Sequence, residues 1–306
     1  FLVSGCSEFS LNDPDETVAD AMIVEESFLN QTDHAIDILL VIDDTASMRT
    51  ELVQLTAQLP TLIDGLEQST TAWQLGAITT DVVSDHAAVL QGDPWVITPM
   101  TPEPEAALFQ MADVGYGGTG PEAGLAAALW ALSPPLIDGP NRGLRRNNAA
   151  LHVVVVSDGD DHSHEWIGDD AADQFSTFLQ TQTSLMGEPA RLSAIVGPGP
   201  TGCTSTTGTA RAGLRYLRMA QETNGYVGSI CALDLAPLVT WIGETSHAEQ
   251  PRFSLQAIPR PESMRIQVND TRWDDGWSLV EGSVVEFSTK PPAGAEIRIR
   301  YEVKSS

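Results

Sequence analysis

Residues 36–48, with the sequence IDILLVIDDTASM, begin as a continuous apolar, β-branched run and end in a cluster of oxygen-bearing side chains. The apolar half is typical of a strand that is buried on both faces of a parallel sheet. Asp43, Thr45 and Ser47 follow it directly, in the pattern Asp-x-Thr-x-Ser. Open α/β sheets bind ligands outside the carboxyl ends of their strands, so these side chains are candidate ligands of an ion. One carboxylate and two hydroxyls favour Mg²⁺, Mn²⁺ or Ca²⁺ over zinc.

Strand-like and helix-like segments alternate along residues 34–247. After the first strand, leucines recur at the spacing of an amphipathic helix. Further strands are predicted at residues 73–79, 151–156, 190–196 and 226–230. This alternation predicts an α/β domain with a doubly wound, mostly parallel sheet.

Both ends of the chain differ from this central pattern. Residues 251–306 contain short runs of alternating apolar and polar residues separated by turn residues, which predicts a small antiparallel β module. Residues 1–33 include an acidic stretch that is rich in Ser and Asn, and we interpret this segment as a tether.

Two further loops carry residues that complete a known pattern. Thr119 lies in Gly-Gly-Thr-Gly before a helix-like stretch, and Asp158 lies in Ser-Asp-Gly after a run of four valines. With the Asp-x-Thr-x-Ser motif, in this order and spacing, they resemble the metal-ion-dependent adhesion site of von Willebrand factor type A domains. The resemblance implies that family's Rossmann-like fold and a metal site formed by Asp43, Thr45, Ser47, Thr119 and Asp158.

The resemblance also implies a function. A bound divalent cation, Mg²⁺ or else Ca²⁺ or Mn²⁺, would keep one coordination position open for an acidic side chain of a protein partner, in adhesion or assembly. We therefore interpret the chain as a binding protein and not as an enzyme. The alternative is a metal-dependent hydrolase with a cation-activated water, for which Asp81, His162 and Glu165 are available as bases. A third hypothesis is a scaffold that binds no metal, in which Asp43 and Ser47 cap the following helix.

Other motifs allow other interpretations. His162 and His164 could bind zinc. Asp160 or Asp161, in the same segment, could hold a second Ca²⁺. The glycines of residues 115–120 match the dinucleotide-binding fingerprint, but they follow a helix-like stretch and not a strand, which disfavours a nucleotide site.

The three cysteines divide into a candidate pair and a single residue. Cys203 and Cys231 bracket one segment late in the chain, and we predict that they form a disulfide, with two buried thiols as the alternative. Cys6 ends the sequence FLVSGC, which looks like the end of a bacterial lipoprotein signal peptide. This implies that Cys6 carries a lipid, with a free thiol as the alternative. A disulfide and a lipid anchor together imply an exported protein of the bacterial cell envelope.

The charge balance excludes some partners. The sequence has 16 Lys and Arg against 42 Asp and Glu, for a net charge of -26. Nucleic acid is therefore a poor partner, because phosphate binding requires a basic surface. Electrostatic attachment to anionic lipid is disfavoured for the same reason, so membrane contact is predicted only through a lipid anchor at Cys6.

Overall fold

The structure, a computed structural model, describes residues 22–29, 35–69, 72–118, 121–184, 188–206, 208–246, 252–289, 291–292 and 295–303. The chain divides into two compact units, Asp33–Ala248 and a second one that combines Phe1–Thr32 with Glu249–Ser306. Cys6 and the lipid predicted for it lie outside the described residues. Among the residues that are described, no helix is both long and apolar enough to cross a membrane.

The secondary structure follows in chain order. The strands are β1 (Ile23–Leu29), β2 (Ile36–Ile42), β3 (Trp73–Thr79), β4 (Ala150–Ser157), β5 (Arg191–Val196), β6 (Cys203–Thr204), β7 (Thr209–Ala210), β8 (Val227–Ser229), β9 (Arg252–Ser254), β10 (Arg265–Val268), β11 (Thr271–Trp273), β12 (Trp277–Val280), β13 (Val284–Phe287) and β14 (Glu296–Glu302). The helices are α1 (Arg49–Ser69), α2 (Pro104–Ala112), α3 (Gly124–Ala131), α4 (His164–Ile167), α5 (Ala171–Thr181), α6 (Leu214–Glu222) and α7 (Ala236–Ser246).

A parallel sheet with the strand order β3-β2-β4-β5-β8 forms the centre of the first unit. Along β2, Ile38, Leu40 and Ile42 pack into a core with α1, α2 and α7. Leu39 and Val41 point the other way and pack with α3, α5 and α6. Successive side chains of a strand alternate between the two faces of a sheet, so an uninterrupted apolar run requires helices on both faces. The predicted α/β fold with a doubly wound sheet is confirmed.

The second unit is built from antiparallel strands. One sheet has the order β1-β14-β10-β11 and the other the order β12-β13-β9. Their buried faces enclose a core in which the rings of Phe253 and Phe287 meet edge to face, with centroids 5.7 Å apart. The antiparallel β module predicted near the C-terminus is confirmed.

The N-terminal tether predicted for residues 1–33 is wrong for Ile23–Leu29. These residues form β1, which pairs along its whole length with β14 and completes the second unit. The prediction missed this strand because Glu26 interrupts the apolar alternation on the face that points into the core. Glu26 is 8% exposed, and its carboxylate accepts hydrogen bonds from the Tyr301 hydroxyl and the backbone N–H of Gln256. A buried carboxylate that has hydrogen-bond partners can lie in a strand, although the local sequence around it does not indicate one.

The disulfide predicted between Cys203 and Cys231 is present. It joins the β6–β7 hairpin to the segment that follows β8, and both cysteines pack against the core to which α1 and α7 contribute.

Candidate metal centre

The register of the parallel sheet brings two predicted site loops together. Ile42, the last residue of β2, lies opposite Val156 of β4, so the residues that follow these two strands are neighbours. The backbone N–H of Asp43 donates to the carbonyl of Val156 at 3.0 Å, and the Ser157 hydroxyl donates to Oδ2 of Asp43 at 2.6 Å. Asp43 is fully buried, and Asp158 follows Ser157 at the same edge of the sheet.

A chain of hydrogen bonds connects four of the predicted site residues. Oδ1 of Asp43 accepts from the Thr45 backbone N–H at 2.9 Å and from the Thr45 hydroxyl at 2.7 Å. The hydroxyls of Thr45 and Ser47 are 3.0 Å apart. The Ser47 hydroxyl donates to Oδ1 of Asp158 at 3.1 Å, which links loops 111 residues apart in the chain. The tight turn after β2 therefore presents its carboxylate and both hydroxyls to the loop after β4.

Glu122 is a member of this cluster that the sequence analysis missed. Asp43, Glu122 and Asp158 each offer a carboxylate oxygen, and these oxygens all lie within 4.8 Å of one another. Glu122 precedes α3 by two residues, and its own carbonyl accepts a hydrogen bond from the His162 backbone N–H at 2.7 Å. The available signal was an acidic residue directly after the Gly-Gly-Thr-Gly-Pro segment at a helix start.

The predicted ligand Thr119 lies outside the described residues, but the residue before it is described. Gly118 forms a parallel bridge with Thr45, and its backbone N–H donates to the carbonyl of Asp44 at 3.0 Å. A Cβ at Gly118 would stand 2.6 Å from Oδ1 of Asp44, so glycine allows the second loop to approach the first this closely without displacing the Asp44 side chain.

Closely packed acidic groups dominate the electrostatics of the cluster. Burial, and then the charge of Asp43, raises the pKa of Asp158 to about 6. Burial, and then the charge of Asp43, also raises the pKa of Glu122, and the charge of Arg211 lowers it in part. Desolvation and like charges both disfavour ionised carboxylates, and a cation among them would reverse both effects.

The donor set fits a hard divalent cation. Over the part of the chain that the structure describes, the converging donors are carboxylate and hydroxyl oxygens, which Mg²⁺, Ca²⁺ and Mn²⁺ prefer, and the acidic group contains neither sulfur nor imidazole. Asp43, Glu122 and Asp158 could supply the charge, and the Thr45 and Ser47 hydroxyls could complete part of the coordination shell.

The structure does not assemble the alternative zinc site. Among the residues that the structure describes, the histidines do not join any group of three ligand side chains within coordinating reach. The rings of His162 and His164 have centroids 6.2 Å apart. Nδ1 of His162 instead lies 3.7 Å from the Glu122 carboxylate, at the side of the acidic cluster.

The two aspartates considered for a second Ca²⁺ already have protein partners. Asp161 is fully buried and accepts hydrogen bonds from the Leu125 amide and from Ser163, so it anchors the first turn of α3. Asp160 pairs with Arg215 at 2.9 Å. These carboxylates thus hold the loop after β4 against α3 and α6.

An aromatic and cationic pair lies beside the cluster. The guanidinium of Arg49 stacks over the ring of Tyr116, 3.9 Å from its centroid. Arg49 begins α1 two residues after Ser47, and Tyr116 precedes the Gly118 bridge by two residues. Tyr116 is 48% exposed, so the pair offers solvent an amphipathic surface next to the carboxylates.

Comparison with known proteins finds neither a matching family model nor a matching curated protein. Among solved structures, the chain is similar to the pilus adhesin SpaC from Lactobacillus rhamnosus GG in its open conformation, with a TM-score of 0.43 and 10% identity over 92% of this chain. A second structure of the same adhesin gives a TM-score of 0.40 and 10% identity over the same share. The chain covers 41% of the adhesin in both cases.

Proposed function

We propose that the parallel-sheet unit is a von Willebrand factor A-like domain that binds a divalent cation and captures an acidic side chain of a protein partner. Asp43, Asp158 and Glu122 would hold the cation together with the hydroxyls of Thr45 and Ser47. The observation that supports this best is the convergence of three carboxylates, with oxygens within 4.8 Å of one another, from three separate loops. A cation bound there would supply positive charge and an open coordination position to the partner's carboxylate.

The protein's own part is to hold the ligand atoms in place. Ser157 and the Thr45 amide fix the two oxygens of Asp43, and Ser47 orients Asp158. Side chains that are already ordered lose little conformational freedom when an ion binds. Asp43 is fully buried, so the electrostatic attraction it exerts is screened less than that of a surface carboxylate.

Arg49 and Tyr116 support a protein as the partner. Tyrosine and arginine are among the residues that contribute most to protein interfaces, and this stacked pair stands beside the proposed cation site. The Arg49 guanidinium would add a second positive group for an acidic ligand, and the exposed ring would bury apolar surface.

We further propose that the protein is exported to the bacterial cell envelope and takes part in adhesion or assembly there. The disulfide between Cys203 and Cys231 supports this, because such bonds persist in oxidising compartments. Lipidation of Cys6 is part of the same proposal. Mass spectrometry of the protein extracted from membranes should show an acyl mass that a Cys6→Ser variant lacks.

Calorimetric titration with Mg²⁺, Ca²⁺ and Mn²⁺ tests the cation site. Wild type should bind with a measurable heat, and Asp158→Asn should lose most of it while retaining the wild-type circular dichroism spectrum. Asp85→Asn, an exposed aspartate outside the cluster, is the matched control and should bind like wild type. Equal heats for wild type and Asp158→Asn would overturn the proposal.

The partner chemistry requires a separate experiment. Wild type should bind an immobilised peptide that contains one Glu more tightly than a matched peptide with Gln at that position. EDTA should abolish this difference in binding. Arg49→Gln and Tyr116→Ala should weaken capture of the Glu peptide without changing the heat of cation binding. Capture that is indifferent to EDTA would contradict a cation-bridged contact.

His162 favours a second candidate, a metal-dependent hydrolase. Its imidazole lies 3.7 Å from the Glu122 carboxylate, where it could accept a proton from an attacking water. A panel of phosphoester and peptide substrates, assayed with and without EDTA, would separate the two functions. Turnover that is lost in His162→Gln while cation binding is retained would favour the enzyme.

A further inference from the structure

The solvent face of the sheet β1-β14-β10-β11 carries arginines on three neighbouring strands. Arg298 and Arg300 lie on β14, Arg265 lies on β10 and Arg272 lies on β11. The residues between them along β14 and β10 are apolar and point into the core of the second unit. Since side chains alternate between the faces of a sheet, the four arginines share the outer face.

The register places two of these arginines directly opposite each other. Arg265 is the cross-strand partner of Arg300, and Gln267 lies between Arg298 on one side and Arg272 on the other. Like charges directly opposite on adjacent strands destabilise a sheet. A pair of this kind is unexpected in a chain with a net charge of -26, whose acidic residues greatly outnumber its basic ones.

The four arginines differ in their partners. Arg298 pairs with Asp270 and Glu296, and Arg272 pairs with Asp274.

Over the described residues, by contrast, Arg265 and Arg300 form no ion pair, although Glu25 is the cross-strand neighbour of Arg300 on β1. Nη1 of Arg265 donates to the backbone carbonyls of Met264 at 2.8 Å and Glu262 at 3.2 Å. These two contacts occupy Nη1, one of the two terminal nitrogens of the guanidinium, and leave the N–H groups of Nε and Nη2 for a ligand.

A groove of about 350 Å³ lies over this face and is lined by all four arginines and Gln267. A volume of this size is at the lower end of small-molecule sites. Arginine only donates hydrogen bonds, so the ligand must supply acceptor atoms and negative charge. Glu25 also lines the groove, and the acidic partners of Arg298 and Arg272 surround it, which disfavours a polyanion and leaves room for one anionic group.

We propose that the groove between Arg265 and Arg300 binds a single tetrahedral oxyanion, a phosphate monoester on an otherwise uncharged small carrier such as a sugar. One guanidinium fork suffices for a planar carboxylate, whereas two guanidiniums from opposite residues of neighbouring strands can each donate to different oxygens of a tetrahedral group. Two positive charges without ion-pair partners also match the charge of about -1.5 to -2 on a phosphate monoester at pH 7. The site belongs to the antiparallel unit and does not depend on the cation site.

Binding is tested on the full chain with inorganic phosphate and glucose 6-phosphate as probes, by calorimetry and by thermal unfolding. Both should bind and raise the unfolding temperature, whereas glucose and acetate at the same ionic strength should not. Arg265→Gln and Arg300→Gln should each weaken binding by about tenfold or more, because each removes charge-assisted hydrogen bonds. Arg252→Gln is the matched control, since Arg252 lies on β9 in the other sheet.

Stability without ligand separates a binding role from a structural one. Arg300→Gln removes one charge of a like-charged pair, so this variant should unfold at the wild-type temperature or above. A loss of phosphate binding in a variant that unfolds there would not come from a loss of fold. The proposal is overturned if acetate matches phosphate, or if Arg265→Gln and Arg300→Gln bind the probes as tightly as Arg252→Gln.

Discussion

The backbone of Gly159 passes so close to Glu122 that a Cβ atom at this glycine would lie 2.9 Å from Cδ of Glu122. Gly159 follows Asp158 directly, so the third loop of the candidate site limits where the Glu122 carboxylate can lie. This contact makes the position of one carboxylate testable without removing any ligand atom.

Gly159→Ala should displace the Glu122 carboxylate and leave the fold intact, because the end of a glutamate side chain can move aside at little cost. We expect cation affinity to fall by about tenfold, as for other substitutions that reposition a ligand. Calorimetric titration with the divalent cation measures this affinity. Gly117→Ala is the control, since a Cβ there would meet nothing within 4 Å. Unchanged affinity in Gly159→Ala would show that Glu122 does not act as a ligand from this position.

Glu122→Gln should weaken cation binding directly, by about tenfold or more, because affinity for hard cations depends on the number of charged oxygen ligands. The substitution keeps the size and shape of the side chain but removes its charge and one acceptor oxygen. Glu165→Gln removes the same charge from an exposed residue nearby and should bind like wild type. If both variants lose affinity equally, the general acidity of the region and not coordination by Glu122 would account for binding.

The stability of the parallel-sheet unit should depend on His152. This residue is buried in the sheet and shares a hydrogen bond of 2.8 Å with the Ser193 hydroxyl. Burial, and then the charge of Arg191, lowers the pKa of His152 to about 3 from its ordinary 6.5. Between these values the unfolded chain binds a proton that the folded chain does not. The contribution of neutral His152 to the free energy of unfolding is therefore fully present above pH 6.5. As the pH falls from 6.5 towards the folded pKa, this contribution decreases by about 1.4 kcal/mol for each pH unit.

His152→Gln should abolish this part of the pH dependence. Urea unfolding from pH 7 to pH 4.5 measures the free energy of unfolding, and the variant should lose less stability than wild type across that range. His86→Gln, at an exposed histidine, should follow the wild-type curve. Parallel curves for wild type and His152→Gln would mean that His152 becomes protonated in the folded state.

Tyr301→Phe should loosen β1 from the antiparallel unit. The Tyr301 hydroxyl donates to the buried Glu26 carboxylate at 2.6 Å, and its loss leaves that oxygen with the Gln256 amide at 3.0 Å. A hydrogen bond to a charged group contributes about 1.5–3 kcal/mol. Amide hydrogen exchange of Ile23–Leu29 should therefore become faster by about tenfold or more.

Tyr116→Phe removes a hydroxyl from the other unit and should leave exchange in β1 unchanged. If the amide hydrogens of β1 exchange as slowly in Tyr301→Phe as in wild type, backbone pairing with β14 is sufficient to hold the strand.

The sequence predicted the strands of the parallel sheet because each is a local signal. An apolar, β-branched run such as residues 150–156 has few alternatives to a strand that is buried on both faces. Asp43 and Asp158 were identifiable for the same reason, since Asp43 directly follows such a run and Asp158 follows one after a single serine. The hydrogen bond between Ser47 and Asp158 then follows from the parallel pairing of β2 with β4.

Glu122 and β1 could not be found in this way. Glu122 joins the site because the chain between β3 and β4 returns to the same edge of the sheet, and the local signal, an acidic residue at a helix start, does not show where its carboxylate lies. The β1 segment carries a core-facing glutamate, which a pattern of alternation counts against a strand. Hydrogen bonds from Tyr301, 275 residues further along the chain, and from the Gln256 backbone N–H make that glutamate compatible with burial.

The sequence by itself determined the α/β alternation, the acidic residues at the strand ends and the antiparallel character of the C-terminal segment, because hydrophobic periodicity and the residues that end an element are properties of neighbouring positions. The tertiary structure alone decided which third carboxylate joins Asp43 and Asp158, which strand completes the second unit and which arginines face one another. Those relationships depend on sheet register and on contacts between distant parts of the chain, and a one-residue change of register would point every side chain of a strand to the opposite face.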